Sequence, residues 1–211
     1  MIIAIDGPAA AGKGTLARRL ADHLDLAYLD TGLIYRAVGK MVLDGGADPE
    51  DAAAAEATAR AMTPADLERD GLRTDEVAQA ASKVSAVPGV RAALLEFQRG
   101  FAAAPPNGKA GAVLDGRDIG TVVCPDADVK MFVTADTEVR AKRRLKELQD
   151  RGLEAIYARV LDDMRERDAR DSDRAVSPLE PATDATVLDT SGLDADQVFA
   201  TALEIIGSRN E

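Results

Sequence analysis

Residues 1–15, MIIAIDGPAAAGKGT, carry the most specific chemistry in the chain. Gly7-Pro8-Ala9-Ala10-Ala11-Gly12-Lys13 fits the spacing G-x-x-x-x-G-K, the pattern of a phosphate-binding loop between a strand and a helix. Its two glycines let the backbone turn tightly enough for successive N–H groups to face phosphate oxygens. A helix beginning at Lys13 adds partial positive charge at its N-terminus, and the lysine adds a full one. The usual pattern has Ser or Thr directly after the lysine as a Mg2+ ligand. Here that place is Gly14 and the hydroxyl comes one residue later, so Thr15 is the candidate metal ligand, directly or through water.

A phosphate loop does not by itself name a reaction, but the arginines narrow it. Arg36 follows a second strand, Arg91 sits at a helix start and Arg117 follows a third strand. Arg167, Arg170 and Arg174 have the spacing of one helix face. Moving a phosphoryl group between two anions needs such fork-shaped cations to screen donor and acceptor and to hold the group in flight. Taken alone, the last helix also reads as a solvated, salt-bridged face, since Asp162, Asp163, Glu166, Asp168, Asp171 and Asp173 interleave with the arginines. Taken with the loop, it reads as phosphate-binding.

These residues must be carried by regular elements. Ile2–Ile5 is a short apolar run that reads as a buried strand, with further strands expected at 28–30, 112–114, 129–133 and 186–189. Helices are expected over 13–24 (core stripe Leu16, Leu20, Leu24), 33–43, 48–62, 75–84, 88–103, 136–150, 153–170 and 194–207. On the helix at 88–103 the inward face is expected to hold Val90, Leu94 and Phe97 or Phe101, and on the last one Val198, Ala202 and Ile205. Strands alternating with helices predict an α/β fold, a parallel sheet wound by right-handed crossovers. Ligands in such sheets bind beyond the carboxyl ends of the strands. Asp6, Asp30, Asp115 and Asp189 all stand there, where they can also cap the next helix.

The bulk composition sets limits. The 211 residues make one medium domain, 46% hydrophobic but only 3% aromatic, so Ala and Leu must fill most of the core. The net charge of −11 argues against nucleic-acid binding through a broad basic surface, while leaving room for a focused basic pocket. One cysteine, Cys124, excludes an internal disulfide, and one histidine, His23, reads as structural. No long apolar span or signal-like segment is visible, so a cytoplasmic protein without membrane attachment is expected.

Several longer stretches resemble bacterial cytidylate kinases: Asp30-Thr31-Gly32-x-x-Tyr35-Arg36, the segment 73–82, Val87-Pro88 to Arg91, and Asp115-Gly116-Arg117-Asp118-x-Gly120-Thr121-Val122-Val123. So do Glu166-Arg167-Asp168-x-Arg170-Asp171-x-x-Arg174-Ala175-Val176-x-Pro178-Leu179 and Val187-Leu188-Asp189-Thr190. The resemblance spans nearly the whole chain and implies a P-loop NTPase-type, doubly wound five-stranded parallel sheet with a helical NMP-binding arm and a short helical lid. The core would comprise 1–45, 88–152 and 175–211, the arm 46–87 and the lid 153–174. The implied reaction is in-line transfer of the γ-phosphoryl group of ATP to CMP, and to dCMP, with Mg2+. Gly7 to Thr15 would hold the ATP phosphates. Arg36, Arg117 and Arg174 would grip the acceptor phosphate with Thr31, and Ser82, Arg91 and Asp118 would read cytosine. Arg167 and Asp171 would contact the ribose, Arg170 would reach the transferring group, and Asp115 would orient the arginines or Mg2+ waters. The catalytic set is then Lys13, Arg117, Arg167 and Arg170.

Two departures stand out. The G-K-G-T ending is that of nucleoside monophosphate kinases, which hold the metal more through water. Relatives of this type also carry a small three-stranded sheet in the arm, whereas 62–73 is short and polar here, which places base selectivity and arm closure in question. The alternatives are a kinase of another monophosphate or a small metabolite, a GTP switch protein and a non-catalytic ATP-binding regulator. The switch would need an N-K-x-D motif, which is not found. In the regulator the clustered arginines would repel one another with no second anion to neutralise them. A monomer acting on small nucleotides is expected, with no nucleic-acid partner.

Overall fold

The computed structural model describes residues 1–208; the last three residues of the expected third core part lie outside the described residues. Among the described residues it contains the strands β1 (Ile2–Asp6), β2 (Ala27–Asp30), β3 (Ala112–Gly116), β4 (Val129–Thr134) and β5 (Thr186–Asp189). The α-helices are α1 (Lys13–His23), α2 (Thr31–Asp44), α3 (Ala52–Ala61), α4 (Asp75–Val84), α5 (Pro88–Ala103), α6 (Thr137–Asp150), α7 (Tyr157–Ser172) and α8 (Ala195–Gly207). The strands form one sheet in the order β2-β3-β1-β4-β5, and β1 pairs parallel with β3 and β4 on either side. This is the expected α/β parallel sheet. Its direction of winding reverses at β1, so the carboxyl end of β1 is where a ligand crevice belongs.

Local chemistry explains the elements. Ile3, Ala4 and Ile5 are fully buried, as a central parallel strand covered on both faces requires. Asp30 caps α2 by accepting from Leu33 N at 3.1 Å, and Thr74 caps α4 by accepting from Val77 N at 3.3 Å. α3 begins at Ala52 and not at 48, because the Asp51 carboxylate takes the N–H groups of Ala53 and Ala54 at 3.0 and 3.2 Å and 48–51 is spent on a turn. α6 closes at Gly152, whose positive φ of 73° lets Leu153 N reach back to Leu148 O, so α7 starts only at Tyr157. One element had no sequence signal. Val123 N and Cys124 N bond to the carbonyls of Asp118 and Ile119, five residues back, giving a single π-type turn over Ile119–Val123.

The chain divides into two compact units, 1–29 with 105–211, and 30–104. The first holds the sheet and a core in which Leu16, Leu20 and Val198 pack with Ile3, Ile5, Val113 and Met131. Ile206, not Ile205, completes the buried stripe of α8. A smaller apolar cluster joins α6 to α7 through Ala141, Leu148, Val160 and Met164, with Ala10 of the loop against it. His23 stacks edge-on with Phe199, a packing role. The second unit is made of α2–α5. Gly39 lets α2 cross α4 at close range, since a Cβ there would lie 2.8 Å from Ala81 N. The buried stripe of α5 is Val90, Arg91, Leu94 and Gln98, with Phe97 and Phe101 only half-buried; Gln98 tolerates burial by donating its amide to Leu94 O at 3.0 Å. Residues 64–68 form a short 3-10 turn held by Asp66, and no strand forms between 62 and 73. The segment expected as an arm, 46–87, falls within this unit together with α2 and α5. No helix of the described residues is long and apolar enough to cross a membrane.

Candidate active site

The loop leaving β1 has the backbone its spacing predicts. Gly7 has φ 141°, and a Cβ there would fall 1.9 Å from Val133 O, so only glycine lets this turn pass β4. Gly12 has φ 94° and begins α1, whose first turn has no side-chain cap and no acidic residue. Its leading N–H groups are left for an anion. Ala10, at φ 57°, holds the left-handed conformation without being glycine. Gly14 sits close to Asp115, since a Cβ there would lie 3.2 Å from its carboxylate, and the hydroxyl one place later, on Thr15, is exposed. Asp115 is buried and accepts from the Tyr28 hydroxyl at 3.2 Å.

Lys13 is buried, with its ammonium donating to Pro8 O at 2.8 Å. Burial, followed by the positive charges of Arg117 and Arg167, lowers its pKa to about 7 against the pull of Asp115 and Asp6. Asp6 is pushed up to about 6 by burial, although its carboxylate accepts from Ile119 N and Gly120 N at 2.7 Å each. These two bonds hold the π-type turn against the carboxyl end of β1 and so fix the buried Asp118 that begins it.

α7 supplies the counterpart. Asp171 is buried and takes Arg117 Nε at 2.9 Å, while Arg174 Nε donates to its main-chain oxygen at 3.2 Å. Burial alone would raise the Asp171 pKa. The charges of Arg117, Arg167 and Arg174 outweigh that and hold it below the ordinary carboxylate value. The structure therefore brings Lys13, Asp115, Arg117, Arg167, Asp171 and Arg174 into one electrostatic cluster within the first unit. Arg170 lies on the same helix, half-buried, its Nε turned to Glu166 O.

The other predicted residues belong to the second unit. Thr31 is buried at the start of α2, and Arg36 donates to Leu72 O at 3.0 Å. Arg91 is buried under Tyr35, 5.4 Å from the ring centroid, and donates to Ser85 O at 3.2 Å. Ser82 is 3% exposed, and its hydroxyl oxygen has no hydrogen-bond partner among the described residues. Asp118 belongs to the first unit and Ser82 and Arg91 to the second.

Sequence reasoning missed Arg140, whose guanidinium meets both the loop and α7, and the anchoring role of Asp6. Asp6 was visible as a carboxylate ending a strand, but its partners lie 113 and 114 residues away. Arg140 was one cation among several on a charged helix.

A doubly wound parallel sheet with a glycine-rich loop at the carboxyl end of its central strand, facing clustered arginines, defines a nucleotide-binding protein of the phosphate-loop class. The family model for cytidylate kinase matches residues 3–208. The cytidylate kinase of Paramagnetospirillum magneticum is 71% identical over 208 residues, covering 99% of this chain and 98% of that one. The cytidylate kinase of Rhodospirillum rubrum is 63% identical over 211 residues, covering 100% and 99%. A crystal structure of an uncharacterized protein from Eubacterium ventriosum has a TM-score of 0.58 at 16% identity over 99% of this chain and 98% of that one, a likeness of fold alone. The chain belongs to the cytidylate kinase family and is by that membership a phosphotransferase.

Proposed function

We propose that the protein transfers the γ-phosphoryl group of ATP to the 5′-phosphate of CMP, and of dCMP, giving ADP and the diphosphate. The observation that carries this reading is the gathering of Lys13, Arg117, Arg167 and Arg174 beside the phosphate loop, with Asp171 among them. Such a density of cations suits two polyanionic substrates. Gly7 to Thr15 cradle the donor phosphates through backbone N–H groups, and Lys13 leaves Pro8 O for them. Arg36, Arg117 and Arg174, with Thr31, hold the acceptor phosphate in line. Arg167 and Asp171 contact its ribose, and Arg170 reaches the transferring group. Residues 153–174 act as a lid that excludes water and 46–87 as the nucleotide-binding arm.

The acceptor phosphate is already an anion, so no general base is required. Catalysis is positioning and charge stabilisation. Among the described residues there is no group of three or more His, Cys, Asp or Glu side chains set to hold a metal. A Mg2+ ion bound with ATP would take most of its ligands from phosphate and water, with Thr15 and Asp115 holding it from the protein side. When bound, it neutralises charge on the donor phosphates. The unpartnered hydroxyl of Ser82, the guanidinium of Arg91 and the carboxylate of Asp118 read cytosine's amine, O2 and N3. Uracil reverses two of these edges.

ADP production with ATP, Mg2+ and each of CMP, dCMP, UMP and AMP tests the reading. Strong turnover with CMP and little with AMP is expected. Equal turnover with UMP would show that the strandless 62–73 segment relaxes base choice, and inactivity with every acceptor would overturn the proposal. Binding of ATP should also be accompanied by proton uptake, because phosphate raises a lysine pKa that burial has lowered to about 7. Calorimetry in buffers of different ionisation enthalpy should find about half a proton taken up at pH 7 and nearer one at pH 8. An uptake of zero at both would remove Lys13 from the donor site.

A further inference from the structure

Arg140 has no part in the reaction just described, yet it is one of the most completely bonded side chains in the first unit. It lies in the first turns of α6, 4% exposed. Its Nε donates to Ala135 O at 2.8 Å. One terminal nitrogen donates to Ala9 O and to Asp168 Oδ1, each at 3.2 Å. The other donates to Thr137 Oγ1 at 2.8 Å and to Asp168 Oδ2 at 2.7 Å. A guanidinium has five N–H donors, and these contacts use all of them. None is left for a phosphate, so Arg140 cannot be a substrate-binding arginine in this state.

Two of its partners belong to the machinery. Ala9 is in the phosphate loop, and a trans peptide is planar, so with Ala9 O directed at Arg140 the N–H of Ala10 points the opposite way. Ala10 is also the non-glycine residue of the loop held at positive φ, 57°, a left-handed conformation that its side chain disfavours. The other partner, Asp168, is on α7, next to Arg167 and one turn before Asp171. Its forked pairing with Arg140 fixes the rotation of α7 and so where those two side chains aim. An apolar contact runs alongside, because Ala10 packs on the α6–α7 cluster of Ala141, Leu148, Val160 and Met164.

From this geometry we infer that Arg140 is a positioning residue that couples the seating of α7 to the orientation of the Ala9–Ala10 peptide. Asp168 is the half of the pair that reports whether α7 is in place. When α7 is docked, the fork is closed and the loop N–H groups face the donor phosphates. When Asp168 is removed or drawn away, Arg140 loses its charged partner and the loop peptide loses its restraint. Lysine cannot substitute, since one ammonium cannot bridge Ala135 O, Ala9 O, Thr137 and both carboxylate oxygens. The catalytic meaning of this coupling rests on the ATP-binding role given to the loop above; the coupling itself does not.

The test uses the full chain as wild type, Arg140→Lys and Asp168→Asn, the second keeping the shape of the partner. Amide hydrogen exchange over residues 8–12 reads the loop without any substrate. Equilibrium binding of a fluorescent ATP analogue and of CMP reads the two nucleotides separately. Both variants are expected to exchange about tenfold faster in the loop with the central strands unchanged. They should lose up to about a hundredfold in kcat/KM for ATP with Tm retained, and a smaller part of the CMP affinity through the re-aimed Arg167 and Asp171. Free guanidinium should restore part of the ATP affinity of Arg140→Ala. Loop exchange equal to wild type in both variants overturns the coupling, as does faster exchange of the central strands together with a lower Tm, which marks plain destabilisation. A wild-type protein that fails to bind the ATP analogue would overturn the proposed function, and loop exchange would still decide the coupling.

Discussion

Lys13→Met should lose about a thousandfold or more in kcat while the folded protein keeps its stability. Methionine is close in length and apolar, so it occupies the buried slot without the charge that neutralises the phosphoryl group. The stability half follows from the folded pKa of about 7 against 10.5 for an ordinary lysine. Between these values the unfolded chain holds a proton that the folded one has released, so the stability of the wild type rises with pH across that window. Below pH 7 the wild type carries a desolvated ammonium that the variant lacks. Urea denaturation at pH 6, 8 and 10 should show this slope in the wild type and lose Lys13's share of it in the variant. Turnover near wild type would remove Lys13 from catalysis. A variant several degrees less stable would mean instead that the Lys13–Pro8 bond holds the loop together.

Asp171→Asn should be the most destabilising single change in the site. The carboxylate is 3% exposed and faces Arg117, Arg167 and Arg174. Removing its charge takes from those guanidinium groups a buried carboxylate that they share, a loss of about 3 kcal/mol. An anion can stand in for the missing carboxylate, so ATP or millimolar phosphate should recover more Tm in the variant than in the wild type. The pH dependence has a definite sign. With the folded pKa held below 3.8, the contribution of Asp171 is complete above that value and disappears as pH falls through the lower folded one. The gap between wild type and variant should be flat from pH 5 to 8 and close in stronger acid. A variant as stable as wild type at pH 7 would show that the arginines are solvated well enough to need no counter-charge.

Much of this molecule is written in short stretches of chain. The short apolar run Ile2–Ile5, the glycines at 7 and 12 and the lysine at 13 define a strand, a loop and a helix start, because an apolar run, positive φ and helix polarity are properties of a few consecutive residues. The bounds of α4 and α5 agree with their expected ranges for the same reason: Thr74 and Pro88 are local signals. The arginines were visible by residue type, but Arg167, Arg170 and Arg174 alone also fit a salt-bridged helix face, and only the phosphate loop turned the reading towards a second anion.

Partner choice was not legible, and it decides how the site is held. Asp6 meets Ile119 and Gly120 only because β1 is laid beside β3, and Arg117 meets Asp171 across 54 residues only because α7 returns over the strand ends. The stripe of α5 ends in Gln98 where an aromatic side chain was expected, since a side chain that satisfies its own amide on the preceding turn can be buried as well as a phenyl ring. Arg140 is one cation among several on α6 until the fold sets Ala9 and Asp168 on either side of it. Propensity and backbone geometry act over a turn or a pleat and can be read from neighbours in the chain. A buried charge takes whichever partner the packing delivers, and that is settled only when the elements are assembled.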